Sequence, residues 1–428
     1  LSPPCSFSSQ ASDVSALKLS LQRLGAETSN SSPGPGRRDK LSNSAVAAKA
    51  CPPRIEGKMD ASRIIPEHVD PSRVADVNIY ALPNQAQDYH AAWKALQQAS
   101  PDIVWTPQNE GHWIALRGDI LAEVQSDHER FSNAIIVIPK SVGQLHALIP
   151  TTIDPPEHGP YRTLLNAGLA NSKVNSLEDV IRSEAVALIE GFRAKGRCDF
   201  TAEYAKVFPI RIFMALVGIP MQDADKIRLW AECMTRPNPP IPFEDARTAF
   251  FDYLTPILEQ RRATPGEDLL SFIVTSKIGD RQLSVADSLS LATQIMIAGV
   301  DTVVNFLGFV ILLLARDTEA RQALAGKSGA ELTNAVQELF RRFGVVSIAR
   351  TVRDDMEFHG VSLKKGELVC VPTVVHGLDE RVNPDPMRVD FTRKAGRHSA
   401  FGSGPHMCPG AGLARKEIAI TIEEWLRR

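Results

Sequence analysis

Phe401-Gly402-Ser403-Gly404-Pro405-His406-Met407-Cys408-Pro409-Gly410 is the stretch on which the reading of this chain turns. One cysteine stands in a loop punctuated by glycines and prolines, and a helix-like run from Ala411 to Trp425 follows at once. Gly402 and Gly404 suit a backbone that takes positive φ and presses close to something flat or bulky. The helix after the loop aims its N-terminal amides back at Cys408, which favours a thiolate. A thiolate facing a cavity is a soft, electron-rich ligand, and the metal that gains most from it is haem iron set to cleave O₂. Taken alone, the same residues also describe a packed core thiol beside a glycine turn.

Two stretches upstream bear on that choice. Ser284 followed by Asp287 reads as a capping box, opening a helix of about 32 residues, roughly 48 Å long. It is apolar on most sides, so it is expected to cross the centre of the protein. Its middle reads Ala298-Gly299-Val300-Asp301-Thr302. Gly299 leaves room for a ligand or a backbone, Asp301 needs a partner or a task, and Thr302 can bond back along the helix and distort it. This is either a satisfied kink or a carboxylate and hydroxyl that organise water for proton delivery. The second stretch, Glu338-Leu339-Phe340-Arg341, sets an acid and a base at i, i+3 on a helix, a pairing common on helix surfaces.

The three stretches together resemble, in order and spacing, the motifs of cytochromes P450. Phe208 to Met214, Met234 to Pro237, Asp301 to Phe306 and Gly377 to Arg381 resemble the bacterial camphor-hydroxylase branch, over roughly residues 60 to 428. The resemblance implies a mainly α fold with small β-sheets, a triangular helical prism around a buried haem b. It implies that Cys408 ligates iron in a loop with Phe401 and Gly402 against the cofactor. Asp301 and Thr302 become the distal acid–alcohol pair, with Arg228 and Arg236 pairing with Asp301 and gating it. Glu338, Arg341 and Arg388 become a buried structural network. Arg162, Arg350 and His406 become haem-propionate contacts.

On the substrate side, His146 stands where the camphor enzyme has a tyrosine that bonds the substrate ketone. A neutral imidazole still donates one hydrogen bond. Thr151, Val137, Leu148, Ile295, Val346 and Ile348 would supply the walls, with Val137 and Ile348 replacing a bulkier aromatic and a carboxylate. The expected activity is hydroxylation of a terpenoid or norisoprenoid ketone, such as an ionone. Electrons would come from a [2Fe-2S] ferredoxin reduced by a flavin-dependent ferredoxin reductase, the ferredoxin docking near Cys408 with Arg162 as a contact. The rivals are a peroxygenase driven by H₂O₂ and a truncated haem protein with impaired activity.

Composition agrees with this frame. The chain has 428 residues, 43% of them hydrophobic, and a net charge of −2 from 48 basic and 50 acidic side chains, which gives no reason to invoke nucleic acid or an anionic membrane. Six scattered cysteines without CxxC spacing suit a reducing cytosol rather than a disulfide or zinc framework. No signal-peptide layout opens the chain, and its longest apolar run falls short of the roughly 20 residues of a membrane span. A soluble, cytoplasmic, monomeric protein of bacterial type is expected. Residues 1–58 are rich in Ser, Ala, Pro and Gly and are expected to be a disordered or non-native tail with a short helix at 14–24. Residues 59–428 are expected to form a single domain, one that lacks the C-terminal hairpin usual in the family.

Overall fold

The central helix forms over Val285–Arg316, as the capping signal predicts. Asp287 N–H donates to Ser284 Oγ at 2.9 Å and Ser284 N–H returns a bond to the Asp287 carboxylate at 3.4 Å. The computed structural model describes residues 65–235, 239–394 and 396–428, so the tail at 1–58 and Arg236 lie outside the described residues. By length and mean hydropathy (2.2) the central helix could cross a bilayer. It is instead enclosed by the helices Phe208–Val217, Ala224–Thr235, Phe243–Ala263 and Leu269–Thr275.

That helix joins two cores. Its first half, through Leu291, Ile295, Met296 and Ile297, packs with Phe213, Met214, Phe250 and Leu254. Its second half, from Val303 through Phe306, Leu307 and Val310, packs with Tyr204, Phe208, Phe340 and Ile418. The changeover falls at residues 298–302, the acid–alcohol stretch. Apolar burial on either side fixes those few residues in place without covering them.

A five-stranded sheet runs in the order Ile103–Thr106, His112–Ala115, Leu368–Pro372, Ser347–Val352 and Phe131–Ser132. The first pair is a hairpin, with Asn109, Glu110 and Gly111 all at positive φ in its turn. Leu368–Pro372 runs parallel to the second strand and antiparallel to the fourth, where Arg350 sits opposite Val369. A π-turn at Thr201–Ala205 is followed by a helix at Phe208–Val217. Pro209 occupies the first turn of the second piece, where a missing N–H costs nothing. Two further helices, Asn171–Ser176 and Glu178–Arg193, meet at Leu177.

Candidate haem-thiolate site

The cysteine loop is locked by its own backbone. Cys408 N–H donates to Phe401 O at 2.8 Å, Met407 N–H to Gly404 O at 3.1 Å, and Gly402 N–H to Ser399 O at 2.8 Å. Gly402 and Gly404 take φ of 74° and 71°. Gly404 makes its close approach to protein, whereas a Cβ on Gly402 would meet nothing nearer than 3.9 Å. A Cβ on Gly404 would stand 2.6 Å from Ser126 Cα, at the end of the helix Gly118–Ser126. The loop is tied to the central helix by stacked rings: Phe401 to Phe340 at 4.5 Å, and Phe340 to Phe306 at 4.1 Å. Phe306 lies one helical turn beyond Thr302, so the ring stack brings Cys408 and Thr302 to the same region of the molecule.

Cys408 is half-buried. The expected depression of its pKa is not the net result: burial pushes the thiol up, against the Gly410 and Ala411 amides and the Arg162 and Arg415 guanidiniums. Desolvation here opposes the helix N-terminus and the two guanidiniums. Arg415, on the helix Ala411–Arg427, stacks 4.4 Å from the Phe401 ring. Sequence reading missed it, although it stands two helical turns after the cysteine.

The E-x-x-R pair is buried, as expected, with side-chain exposures of 3% for Glu338 and 0% for Arg341. Arg341 donates to both Glu338 oxygens at 2.7 and 2.8 Å and to the carbonyls of Gly377, Pro386 and Arg388 at 2.6, 2.7 and 2.9 Å. The third member needs correction. Arg388 gives only its carbonyl, whereas the guanidinium that reaches Glu338 belongs to Arg393, at 3.2 Å. Arg393 also holds the carbonyls of Pro384 and Asp385 at 2.8 and 3.3 Å, which pins the segment leading to the cysteine loop.

A cluster of buried cations supplies a test of fit for the haem. Arg350 is 2% exposed, yet its Nε finds no hydrogen-bond acceptor among the described residues, and His406 Nε2 is in the same condition. Burial pushes Arg350 down to about 10. Burial, then repulsion from His158, Arg350, Arg162 and His128, pushes His406 down to about 3. The nearby Asp154 is already paired with Arg353 at 2.6 Å. A buried guanidinium and a buried imidazole nitrogen left without partners, with Arg162 beside them, call for buried acceptors, and the two propionates of haem b would meet that need. The residues present therefore fit the group: Cys408 on the iron, with Arg162, Arg350 and His406 on the carboxylates. His158, its ring 4.0 Å from His406, belongs to the same cluster and was missed. Its i, i+4 spacing to Arg162 was the available signal.

Opposite the loop, the central helix presents an open stripe. In the middle of that helix Ala298, Thr302 and Asn305 are exposed, and Gln294 and Asp301 are half-buried. Thr302 Oγ1 bonds back to Ala298 O at 3.2 Å, as expected. Gly299 does not face that opening: its missing Cβ makes room for Phe213, whose ring would be 2.8 Å away. Ile295 turns into the helical core, and Gln294 takes its place on the stripe. Leu148 is likewise buried in that core, while Val137, Thr151, Val346 and Ile348 are half-buried. Arg228 ion-pairs on its own helix, to Glu232 at 2.9 Å and Asp225 at 3.4 Å, rather than with the expected Asp301; acids at i+4 and i−3 are nearer. Its expected companion Arg236 is outside the described residues.

Similarity to known proteins agrees with the chemistry. The profile of the cytochrome P450 family matches residues 331–428. The probable cytochrome P450 127A1 of Sinorhizobium fredii (strain NBRC 101917 / NGR234) is 32% identical over 375 residues, covering 85% of this chain and 90% of that protein. The vitamin D(3) 25-hydroxylase of Pseudonocardia autotrophica is 30% identical over 344 residues, covering 78% and 85%. Among solved structures, CYP101J2 is 43% identical with a TM-score of 0.80, and cytochrome P450 CYP101C1 is 37% identical with 0.79, each covering 85% of this chain and 92% of the other. At these identities and coverages, this chain belongs to the cytochrome P450 family, as a haem-thiolate monooxygenase of the camphor-hydroxylase-like branch.

Proposed function

We propose that the protein hydroxylates a small terpenoid or norisoprenoid ketone, with electrons from a [2Fe-2S] ferredoxin and its flavin-dependent reductase. When bound, the haem iron supplies the oxidant derived from O₂. The chain's own residues do the rest. Arg162, Arg350 and His406 hold the carboxylates, and the Glu338–Arg341–Arg393 network keeps the loop that carries Cys408 in register. Thr302 donates its hydroxyl proton to Ala298 O, which leaves its lone pairs free to hold a water in the open stripe. Asp301 beside it relays protons to that water, and Arg236 controls Asp301. The ferredoxin docks where Met407 stands half-exposed beside Cys408, with Arg162 and Arg415 behind it.

The observation that carries the substrate reading is His146. It is 6% exposed, not turned to solvent, and its ring lies 6.4 Å from Phe243 beside the apolar core. Burial lowers its pKa, so the ring is neutral at neutral pH and offers one N–H to a carbonyl oxygen. The test is a panel of terpenoid ketones read by the low- to high-spin shift of the haem. Ketones are expected to shift the spin state; a shift with fatty acids alone removes this substrate class. Turnover with H₂O₂ matching turnover with the ferredoxin system would favour the peroxygenase rival instead.

A further inference from the structure

The Glu338–Arg341–Arg393 network pins the chain as far as Arg393, and a different set of side chains holds it from Arg397 into the cysteine loop. Buried Asn383 clasps the backbone of Arg397 with both ends of its amide: Arg397 N–H donates to Oδ1 at 2.9 Å, and Nδ2 donates to Arg397 O at 2.8 Å. Two residues on, the hydroxyl of buried Ser399 shares a hydrogen bond of 2.8 Å with His376 Nδ1. His376 sits in the short helix Thr373–Gly377, whose last residue gives its carbonyl to Arg341 at 2.6 Å. Its ring is closely confined, since a Cβ on Gly118 would lie 2.6 Å from its Cδ2.

Ser399 passes this anchorage on. Its carbonyl accepts Gly402 N–H at 2.8 Å, and its hydroxyl lies 3.4 Å from Ser403 Oγ. Phe401 stands inside the turn so closed, and Phe401 O is the acceptor of the Cys408 N–H. The bonded path therefore runs from His376 through Ser399 and the turn to the backbone of the cysteine itself. Burial, opposed by Asp379 and Asp119, lowers the His376 pKa. The ring is then neutral, with one nitrogen a donor and the other an acceptor, and a serine hydroxyl can answer Nδ1 in either tautomer. We propose that His376 is a positioning residue for the thiolate: through the Ser399 hydroxyl it fixes the turn that holds the Cys408 amide, and so sets the hydrogen bonding of the sulfur and the reduction potential of the haem it carries. Hydrogen bonds around an axial ligand are one of the protein's levers on that potential. The inference rests on Cys408 as the iron ligand.

The experiment measures the ferric–ferrous midpoint potential and the reduced-CO band of the holoenzyme in wild type, His376→Ala, His376→Asn and Ser399→Ala. His376→Ala and Ser399→Ala each delete the bond. A loosened turn leaves the sulfur fewer amide bonds and more charge to donate. Both variants are therefore expected to move the ferric–ferrous equilibrium about tenfold toward the ferric form, which is about 59 mV for one electron. Both are also expected to lose the red-shifted band on standing about tenfold faster, the worth of one net hydrogen bond. His376→Asn puts an amide where Nδ1 stands, and is expected to keep the equilibrium within about twofold of wild type. Unchanged potentials in His376→Ala and Ser399→Ala, with only the thermal midpoint lowered, make His376 a packing residue and overturn the proposal. So does a His376→Asn variant that behaves as His376→Ala does. Where His376→Ala fails to fold, Ser399→Ala removes a single hydroxyl and decides by the same two readings. A wild-type holoenzyme whose reduced-CO band lacks the red shift removes the Cys408 assignment itself, and the positioning role falls with it.

Discussion

The two sides of the site are built on opposite rules. On the cysteine side the network behind the loop is spent, and the groups left over, Arg350 Nε, His406 Nε2 and Arg415 Nε, lie where a permanent cofactor would meet them. Arg341 alone makes five hydrogen bonds at 2.6 to 2.9 Å, and Gly404 is pressed against the backbone of Ser126. On the distal side polar atoms are left over: His146 Nδ1, Gln294 Oε1 and Thr293 Oγ1 are buried and make no hydrogen bond among the described residues. A satisfied network holds a permanent ligand in one geometry. An unsatisfied one is kept for something that comes and goes. Substitutions on the cysteine side should therefore cost the cofactor or the fold, and those on the distal side should cost chemistry and selectivity at constant fold.

The largest effect belongs to Cys408. Cys408→Ser is expected to abolish product formation and remove the red-shifted reduced-CO band, while the helical circular dichroism stays. A variant that kept that band would take the iron ligand away from this residue. Next comes the network behind it. Arg341→Ala leaves Glu338 buried without its main partner and should cost about 3–5 kcal/mol of unfolding free energy. Arg393→Ala should cost less, because that side chain keeps 12% exposure. Arg388→Ala should stay within about 0.5 kcal/mol, since only its carbonyl is used. Denaturant midpoints of the three variants check this order, and a large loss at Arg388 would restore the sequence-based assignment.

On the distal side, Thr302→Val removes a hydroxyl at nearly constant volume. Product formation should fall on the order of 10²-fold, as for loss of a positioned proton carrier. Haem content and thermal midpoint should hold. If the midpoint falls instead, Thr302 is a packing residue and the contrast between the two sides is wrong.

How much of this could be read from sequence follows the same division. The central helix, its capping box, the Thr302 back-bond and the Glu338–Arg341 pair are local in sequence, so periodicity and i, i+3 or i, i+4 spacing disclose them. Arg393 could not be told from Arg388 in this way. Both stand in an irregular segment, and which guanidinium reaches Glu338 depends on how that segment folds back across the helix Gly329–Arg342. Gly299 was read as space for a ligand because a glycine in a helix marks a close approach without saying whose, and here it is Phe213 that comes close. Gln294 was passed over for Ile295 because one residue turns a helix by about 100°, enough to exchange core for cavity. The helix amides that favour a Cys408 thiolate were legible in the motif, whereas the opposing effect of burial was not.

The smallest expected effect is one of pH, and it again distinguishes the two sides. His398 lies behind the cysteine loop, its Nδ1 accepting from Ala400 N–H at 3.2 Å. Burial first, then His376, Arg415 and Arg341, push its pKa down to about 4, with Glu338 opposing. The unfolded chain takes up this proton near the ordinary 6.5 and the folded chain only near 4. Above 6.5 neither state is protonated, and no stability is lost. Below 6.5 the unfolded state gains a proton that the folded state refuses, so stability falls as pH drops, by at most about 3 kcal/mol at pH 4. His398→Gln should flatten that part of the stability profile and leave the spin-state titration with terpenoids unchanged. His146, whose pKa is also lowered by burial, should show a second signature. Its protonation at acid pH adds a donor and a charge beside the proposed substrate, so ligand affinity should change with pH in wild type and lose that dependence in His146→Phe. If His398→Gln altered ligand affinity as much as stability, the cysteine side and the substrate side would be one coupled network rather than two regions with separate tasks.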